Sequence, residues 1–186
     1  MEFPSMATDR LDLVQIEMKH AEALFANFSN PKVVAYYGME VMTDLAQAER
    51  LVSQFEDMQR GKRGLRWGIV VRKENRFVGT IGLNQLSKGM RRAEIGFEIH
   101  PEFWQTGITS EALQAVLRYA FEELNLHRMG AVTFLDNVAS IGLLKKHGFQ
   151  EEGILRGYLF QNGHSHDARV FSLLDSEYPS SKESAV

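Results

Sequence analysis

Apolar and polar residues alternate near the start of the chain and then change to a longer spacing. The alternation over residues 10–16 predicts a first strand. Residues 18–28 and 44–59 instead place apolar side chains three or four positions apart, which is typical of a helix with one buried face. Thr43 and Asp44 precede the second of these segments and predict a helix cap there. The N-terminal third is therefore expected to contain one strand followed by two helices.

The middle of the chain is richer in β-branched and aromatic residues. Residues 67–71, 76–86 and 93–99 form three apolar runs, separated by short polar breaks around Asn75 and Gly89. Three such runs joined by short turns predict an antiparallel meander.

The last third alternates between the two patterns. An amphipathic helix is predicted over residues 108–124 and a shorter helix over residues 138–147. Strands are predicted between and after them, over residues 129–135, 149–158 and 167–174. This order of elements predicts the α+β class, with one sheet and helices packed against it.

The length and composition are those of one globular domain. With 186 residues, of which 44% are hydrophobic and 24% charged, the chain can bury one substantial core but not two. No internal repeat and no linker rich in proline and glycine divides it. We expect the domain to span residues 8–178, followed by a polar tail over residues 179–186.

Acidic and basic residues nearly balance. Lys and Arg total 21 and Asp and Glu total 24, for a net charge of −3, so no direct nucleic-acid partner is expected. Four basic residues crowd one stretch, and a short cluster of this kind is typical of a solvated turn. These residues are Arg60, Lys62, Arg63 and Arg66.

The absence of cysteine excludes disulfides and a thiolate nucleophile. His164 and His166 would share one face of a strand, but no obvious third ligand accompanies them, so no metal site is predicted. The N-terminal residues lack the pattern of a secretory signal, and no apolar run reaches the ~18 residues needed to span a membrane. The sequence thus predicts a cytoplasmic protein without a membrane partner.

A strand, a glycine and a long helix follow one another between residues 93 and 124. The backbone N–H groups at the start of a helix are free, and the helix dipole adds positive charge there, so this arrangement suits a phosphate group. Gly107 lets the backbone come close to an anion, and Thr109 and Ser110 add hydroxyl groups. On its own, a single glycine before a helix is more often an ordinary turn.

Further motifs follow in a fixed order. They are Ala93-Glu94-Ile95-Gly96-Phe97-Glu98-Ile99-His100-Pro101, Trp104 with Gly107, Ser110-Glu111-Ala112, Asn137 with Ser140, Gly148-Phe149 with Glu152-Gly153, and Asp167 ahead of Ser172-Leu173-Leu174. In these motifs and their spacing the chain resembles the GNAT superfamily of N-acetyltransferases, and within it the branch of ribosomal-protein N-terminal acetyltransferases. The resemblance runs from about residue 8 to residue 178, which is nearly the whole chain.

The resemblance implies a fold and a cosubstrate. The fold is expected to be a single GNAT-like domain with a mixed, mostly antiparallel central sheet of about seven strands and helices on both faces. The cosubstrate is expected to be acetyl-CoA, with no metal, and the protein to be a monomer or a homodimer. The residues implied in acetyl-CoA binding are Phe97, Ile99, Gln105, Thr106, Gly107, Ile108, Thr109, Ser110, Asn137 and Ser140.

Two positions depart from the pattern of the resembled family. Gln105 stands where this branch commonly has glycine, so a side chain is expected where the backbone approaches the phosphates, and weaker acetyl-CoA binding is one expected result. Leu144 stands where many GNAT enzymes carry a tyrosine that protonates the departing CoA thiolate. The resemblance implies Ser140, one helical turn after Asn137, as the acid instead. The alternative for Ser140 is a hydroxyl that caps the start of the helix.

An amine must be neutral to attack a thioester. A protein α-amine has an ordinary pKa of about 7.7–8.0, against about 10.4 for a lysine side chain, so it needs little help from a base. Glu98 is the candidate base, because strand alternation places it with Glu94 and Gly96 on one face, near the end of the strand. The alternative is a solvated strand carboxylate. The backbone N–H groups of Phe97 or Ile99 are candidates to stabilise charge on the carbonyl oxygen.

The sequence therefore predicts an acetyl-CoA-dependent N-acetyltransferase of a primary amine, with a ribosomal-protein N-terminus as the expected acceptor. Two alternatives remain open. One is the same chemistry on a small-molecule amine, such as an antibiotic, a polyamine or an amino acid, which suits a closed pocket, whereas a protein α-amine needs a groove open at both ends. The other is a non-catalytic acyl-CoA-binding module, which the departure at Gln105 makes relevant.

Overall fold

The computed structural model describes residues 3–179, so the predicted polar tail beyond Pro179 lies outside the described residues. The strands are β1 (Met6–Ala7), β2 (Leu11–Gln15), β3 (Leu65–Val71), β4 (Arg76–Ser87), β5 (Arg92–Ile99), β6 (Arg128–Phe134), β7 (Gln150–Gln161) and β8 (His164–Leu174). The α-helices are α1 (Ala21–Phe28), α2 (Pro31–Val34), α3 (Leu45–Arg60), α4 (Ile108–Arg118) and α5 (Val138–Lys146).

The eight strands form one sheet in the order β1-β2-β3-β4-β5-β6-β8-β7. Neighbouring strands are antiparallel everywhere except between β5 and β6, which are parallel. That parallel pair runs only from Arg92 opposite Arg128 to Glu94 opposite Gly130. Beyond these residues β5 and β6 separate, and their separation leaves a gap in the middle of the sheet.

Helices cover both faces of the sheet, which confirms the predicted α+β architecture. Ala112 and Leu113 of α4 and Leu144 of α5 are buried on one face, in a cluster with alternate strand residues such as Ile69 and Ile81. On the other face, α1 and α3 bury a smaller cluster whose members include Leu24, Phe28, Ala48 and Val52. Within residues 3–179, none of the helices is both long and apolar enough to cross a membrane.

The start of α3 shows how local sequence sets an element boundary. The Asp44 carboxylate accepts the N–H of Gln47 at 3.0 Å, and the Gln47 side chain accepts the N–H of Asp44 at 3.2 Å. This reciprocal capping box satisfies backbone donors that have no partner inside the helix. The helix cap predicted at Thr43 and Asp44 is thereby confirmed, with Asp44 as the capping residue.

Some local structure differs from the sequence prediction. β1 and α2 are not predicted, because elements of two and four residues are too short to show a period. Residues 18–28 do not form one helix, since Met18–His20 is a 3-10 turn that precedes α1. The helix predicted over residues 108–124 changes into a π-helical turn at Tyr119–Glu123.

Candidate active site

The gap between β5 and β6 exposes backbone groups that could bind a ligand. The N–H of His100, just past β5, donates to the carbonyl oxygen of Val78 at 2.7 Å, on the β4 side. Successive N–H groups of a strand point toward opposite edges, so those of Phe97 and Ile99 point away from β4 and toward the gap. The structure therefore places both residues, which the resemblance implies in cosubstrate binding, along one edge of the gap.

The loop after β5 leads to α4 through two residues in left-handed backbone conformation. Gln105 has a φ of 61° and Gly107 a φ of 82°. Glycine adopts this conformation at little cost, whereas a residue with a Cβ is strained by it. The indole N–H of Trp104 donates to the carbonyl of Ile99 at 3.0 Å and ties the loop to the end of β5. The departure at Gln105 thus affects the backbone as well as the side chain.

Arg10, which directly precedes β2, supports this loop. Its Nη1 donates to the carbonyl oxygen of Thr106 at 2.9 Å, and its Nε donates to Glu111 at 2.6 Å. Glu111 also accepts the hydroxyl of Thr8. A Cβ built on Gly107 would lie 3.2 Å from Nη2 of Arg10, so the guanidinium packs directly against the glycine. Sequence reasoning missed Arg10, because its partners Thr106 and Glu111 lie 96 and 101 positions away in the chain.

The first turn of α4 offers backbone N–H groups more readily than side chains. Ile108 is buried in the core, so only its N–H can face a ligand. The hydroxyl of Thr106 donates to the carbonyl of Phe103 at 2.6 Å. Ser110 Oγ lies 2.7 Å from Nε2 of His147, at the end of α5. Burial, together with the neighbouring lysine, lowers the pKa of His147. The Ser110 hydroxyl, which the sequence predicts as a group for the phosphates, therefore also contacts the imidazole of His147. The sequence did not suggest this contact.

Asn137 and Ser140 form the start of α5. Oδ1 of Asn137 accepts the N–H of Ser140 at 3.2 Å, so Asn137 is the capping residue and the capping interpretation of Ser140 is wrong. Ser140 precedes the buried Leu144 by one helical turn and shares its face, which is turned toward the sheet. Within residues 3–179 the hydroxyl of Ser140 makes no hydrogen bond, so it is available to a ligand.

Glu98 is buried on the face covered by α1 and α3, with 5% of the residue exposed. The alternative of a solvated carboxylate is therefore wrong. Oε2 of Glu98 accepts hydrogen bonds from Thr80 Oγ1 at 2.5 Å and from Arg66 Nη2 at 3.2 Å. Oε1 has no hydrogen-bond partner within residues 3–179. Burial raises the pKa of Glu98 to about 7, against the opposing effect of Arg66. The carboxyl group can thus exchange a proton near neutral pH.

The prediction of a solvated basic turn is wrong for Arg66. The strand β3 begins at Leu65, earlier than predicted, and this places Arg66 inside the sheet with its side chain buried. Besides Glu98, its guanidinium donates to Thr80 Oγ1 at 2.8 Å and to the carbonyl of Gly96 at 3.0 Å. A buried charge is tolerated when it is paired in this way. Arg60, Lys62 and Arg63, the other members of the cluster, are exposed as predicted.

Two adjacent tyrosines in the segment after α2 contact opposite sides of the gap. The hydroxyl of Tyr37 accepts a hydrogen bond from Arg66, next to Glu98 of β5. Burial raises the pKa of Tyr37 to about 12, so the phenol stays neutral. The ring of Tyr36 packs against Phe134 of β6 with 6.0 Å between ring centroids. The segment therefore bridges the gap on the Glu98 face and forms a wall there.

Gln161 fastens this wall to the hairpin between β7 and β8. Its side-chain nitrogen donates to the carbonyl of Val34 at 2.7 Å and to that of Met39 at 3.2 Å, and its oxygen accepts the N–H of Gly38 at 3.2 Å. The N–H of Asn162 adds a bond to Glu40. We call these four hydrogen bonds the Gln161 clasp. Sequence reasoning missed Gln161, because a polar residue beside a hairpin turn normally faces solvent.

No group of three or more His, Asp or Glu side chains within residues 3–179 is placed to hold a metal ion. His166, one of the two histidines considered above, packs on Phe134 with 5.5 Å between centroids and lies 3.2 Å from the carbonyl of Gln161. His166 therefore packs beside the gap, against Phe134 of β6, and next to Gln161 of the clasp.

Comparison with known proteins identifies relatives along nearly the whole chain. The family model of the acetyltransferase (GNAT) domain matches residues 10–150. The uncharacterized N-acetyltransferase YoaA of Bacillus subtilis (strain 168) is 49% identical over 172 residues, which cover 92% of this chain and 97% of YoaA. YdaF of the same organism, a candidate ribosomal N-acetyltransferase, is 39% identical over 104 residues, which cover 56% of this chain and 57% of YdaF.

A solved structure extends the comparison to the fold. The spermidine N-acetyltransferase of Vibrio cholerae, in complex with CoA and spermine, has a TM-score of 0.81 and 23% sequence identity, over 93% of this chain and 100% of that one. At this identity the likeness is one of fold. With the family match over most of its length, this chain belongs to the GNAT superfamily and is an acetyltransferase.

Proposed function

We propose that this protein transfers the acetyl group of acetyl-CoA to a protein N-terminal α-amine, of the ribosomal-protein type. The observation that supports this acceptor is the pKa of Glu98, raised to about 7. Moving a proton to such a carboxylate costs about 1 kcal/mol from an α-ammonium, but about 5 kcal/mol from a lysine ammonium of ordinary pKa. Glu98 is therefore matched to an α-amine. The relative YdaF, named for ribosomal N-acetylation, supports the same class of acceptor.

The residues around the gap fit acetyl-CoA. The left-handed Gly107 and the free N–H groups at the start of α4 suit a pyrophosphate. The N–H groups of Phe97 and Ile99, and the amide of Asn137, suit the pantetheine arm. Acetyl-CoA supplies the activated acetyl group when it is bound. The residues that would hold its phosphates are Gln105, Thr106, Gly107, Ile108, Thr109 and Ser110.

Glu98 and Ser140 would move the protons of this reaction. Oε1 of Glu98 takes one proton of the α-ammonium, directly or through a water, so that the neutral amine can attack and form the new C–N bond. The C–S bond breaks, and the Ser140 hydroxyl gives its proton to the departing sulfur. The second proton that the nitrogen loses passes through solvent and restores Ser140, and the proton on Glu98 leaves to solvent, so the proton count balances. The N–H groups of Phe97 and Ile99 offset charge on the carbonyl oxygen.

A second acceptor class, small-molecule amines, is favoured by a different observation. The Gln161 clasp joins the wall of Tyr36 and Tyr37 to the hairpin and closes one side of the Glu98 face. A closed side suits a compact acceptor better than a protein α-amine, which is expected to need a groove open at both ends. We retain the α-amine as the main proposal because of the pKa of Glu98 and the relative YdaF.

The test is calorimetry with acetyl-CoA, followed by a free-thiol release assay over a panel of amines. The panel contains peptides with a free N-terminal Ala or Ser, the same peptides with a blocked N-terminus and an internal lysine, and small amines. Release only with free N-termini is expected. Thiol release only with small amines would show that the acceptor is a small-molecule amine. Binding of acetyl-CoA without any thiol release would indicate a non-catalytic module.

Hydrogen exchange provides an independent test of where the cosubstrate binds. Acetyl-CoA should slow the exchange of backbone amides in residues 105–110, while amides of α3, on the opposite face, should not change. Unaltered exchange in residues 105–110 would contradict the proposed phosphate site.

A further inference from the structure

Thr133 holds a buried hydroxyl that the fold itself leaves without a partner. Within residues 3–179, only two buried side-chain polar atoms lack a hydrogen bond, Oε1 of Glu98 and Oγ1 of Thr133. Thr133 is 6% exposed. Burying a hydroxyl without a hydrogen bond costs free energy, and native proteins retain few such groups without a reason. The function of Glu98 proposed above gives Oε1 a partner, and Thr133 requires one as well.

The position of Thr133 places this hydroxyl at the gap. The last pair between β5 and β6 is Glu94 opposite Gly130. Thr133 lies three residues beyond Gly130, and Phe97 lies three residues beyond Glu94, so the two residues stand at the same level on opposite sides of the gap. Each occupies the part of its strand that has separated from the other.

The face on which Thr133 lies is that of the proposed cosubstrate. Side chains alternate along a strand, so Thr133 shares a face with Met129 and Ala131. Both of these are buried in the cluster that contains α4 and Leu144 of α5. Glu98 faces the opposite side, against Arg66. The two unpartnered oxygens therefore lie on different strands and different faces, one on each side of the gap.

The residue opposite Thr133 on the next strand does not satisfy this hydroxyl. The neighbour of Thr133 across β6 and β8 is Arg169. The guanidinium of Arg169 donates to Glu151 at 2.5 Å and to the carbonyl of Leu135 at 3.3 Å. A valine would fill the same volume without a polar atom, so packing does not require a hydroxyl here.

We propose that the Thr133 hydroxyl donates a hydrogen bond to a carbonyl oxygen of the acetylated pantetheine arm, as a cofactor-binding residue that nothing in the sequence marks. The inference rests on the proposed function, which places that arm between β5 and β6. With the N–H of Phe97 on the other strand, Thr133 would hold the arm from both edges of the gap. The carbonyl is either an amide of the arm or the thioester.

The experiment measures ligand affinity by calorimetry for the wild type and three variants, which form two matched pairs with it and with each other. Thr133→Val removes the hydroxyl at constant volume, while Thr133→Ser and Thr133→Ala differ from each other by the hydroxyl alone. The ligands are acetyl-CoA, CoA and adenosine 3′,5′-bisphosphate, which lacks the arm. We expect T133V and T133A to weaken acetyl-CoA binding about fivefold to tenfold, and T133S to retain wild-type affinity. Binding of the bisphosphate should not change.

The outcomes separate this inference from the function on which it rests. An equal loss for CoA and acetyl-CoA supports a bond to an amide of the arm, and a loss for acetyl-CoA alone supports a bond to the thioester carbonyl. Unchanged affinity in T133V and T133A would overturn the inference while leaving the proposed function intact. Failure of the wild type to bind acetyl-CoA would overturn the proposed function first. Thermal unfolding of T133V without ligand should occur at the wild-type temperature or higher, because the unpaired hydroxyl is gone.

Discussion

The Nη2 nitrogen of Arg66 lies 3.2 Å from Oε2 of Glu98, and only 3% and 2% of the two side chains are exposed. Burial alone would push the pKa of the carboxyl still higher, and the guanidinium limits that rise. The pair therefore sets the pH at which Glu98 becomes a base.

Glu98→Gln should abolish the acidic limb of the pH profile. A base acts in its ionised form, so kcat/KM for a peptide acceptor should rise as pH increases through about 7, the pKa of Glu98. The variant should lose about 10²-fold in kcat/KM at pH 8. Its remaining pH dependence should come only from deprotonation of the acceptor amine. Glu94→Gln, on the same strand face, is the control and should keep both limbs. A limb near pH 7 that survives in E98Q would remove Glu98 from the reaction.

Arg66→Met should destabilise the protein in a way that depends on the charge of Glu98. Removing one partner of a buried ion pair costs about 3–5 kcal/mol of unfolding free energy, because the other charge is left unpaired. The loss should be large at pH 8 and smaller at pH 5, where Glu98 is protonated. The double variant R66M/E98Q should recover part of the loss at pH 8 in urea denaturation. Equal losses at both pH values would show that the charge of Glu98 is not involved.

Ser140→Ala should lower kcat about 10²-fold and leave the acetyl-CoA dissociation constant within twofold of wild type. The reason is that only the protonation of the sulfur is lost, since the cap of α5 is provided by Asn137. Stopped-flow thiol release and calorimetry measure the two quantities. Val138→Ala, at an exposed position of the same helix, is the control. Unchanged turnover would assign the acid role to water or another residue.

Gln105→Gly should stabilise the protein by about 1 kcal/mol, because the φ of 61° strains a residue with a Cβ. Gly107→Ala, at a φ of 82°, should be destabilising by a comparable amount. Acetyl-CoA binding to Q105G should be neutral to slightly tighter. A tenfold weaker complex, about 1.4 kcal/mol, would mean that the Gln105 amide is itself a phosphate ligand.

Gln161→Ala should relax the choice of acceptor without changing cosubstrate binding. Loss of the clasp frees the wall of Tyr36 and Tyr37, so the ratio of kcat/KM for bulky over compact amines should increase several-fold. Asn162→Gly is the matched control, because Asn162 bonds Glu40 through its backbone N–H and has a φ of 53° that glycine also adopts. An unchanged ratio in Q161A would show that the clasp does not shape the acceptor side.

The sequence predicts the sheet and its helices well, because their apolar periods are long and regular. β5 and α3 are examples, since both have nearly the bounds expected. The sequence marks position 105 as a departure from the pattern of the resembled family, but it could not reveal the left-handed backbone there. A side chain is visible in a sequence, while a dihedral angle depends on the loop around it.

The residues that complete the site come from parts of the chain too distant for any local pattern to connect them. The sequence wrongly predicts a solvated Arg66, because a basic residue beside other basic residues is typical of a turn, and only the pairing with Glu98 reveals its burial. Gln161 reaches Val34, which is 127 positions away. Thr133 shows no signal at all, since a threonine in a strand is ordinary.

The two faces of the gap have a consequence for the order in which substrates arrive. Glu98 lies on one face, while Thr133 and the start of α4 lie on the other, so an acceptor and acetyl-CoA would approach from opposite directions. Neither has to leave before the other enters, and a ternary complex can assemble along either route. Initial-rate plots at several fixed concentrations of the second substrate should therefore intersect rather than run parallel.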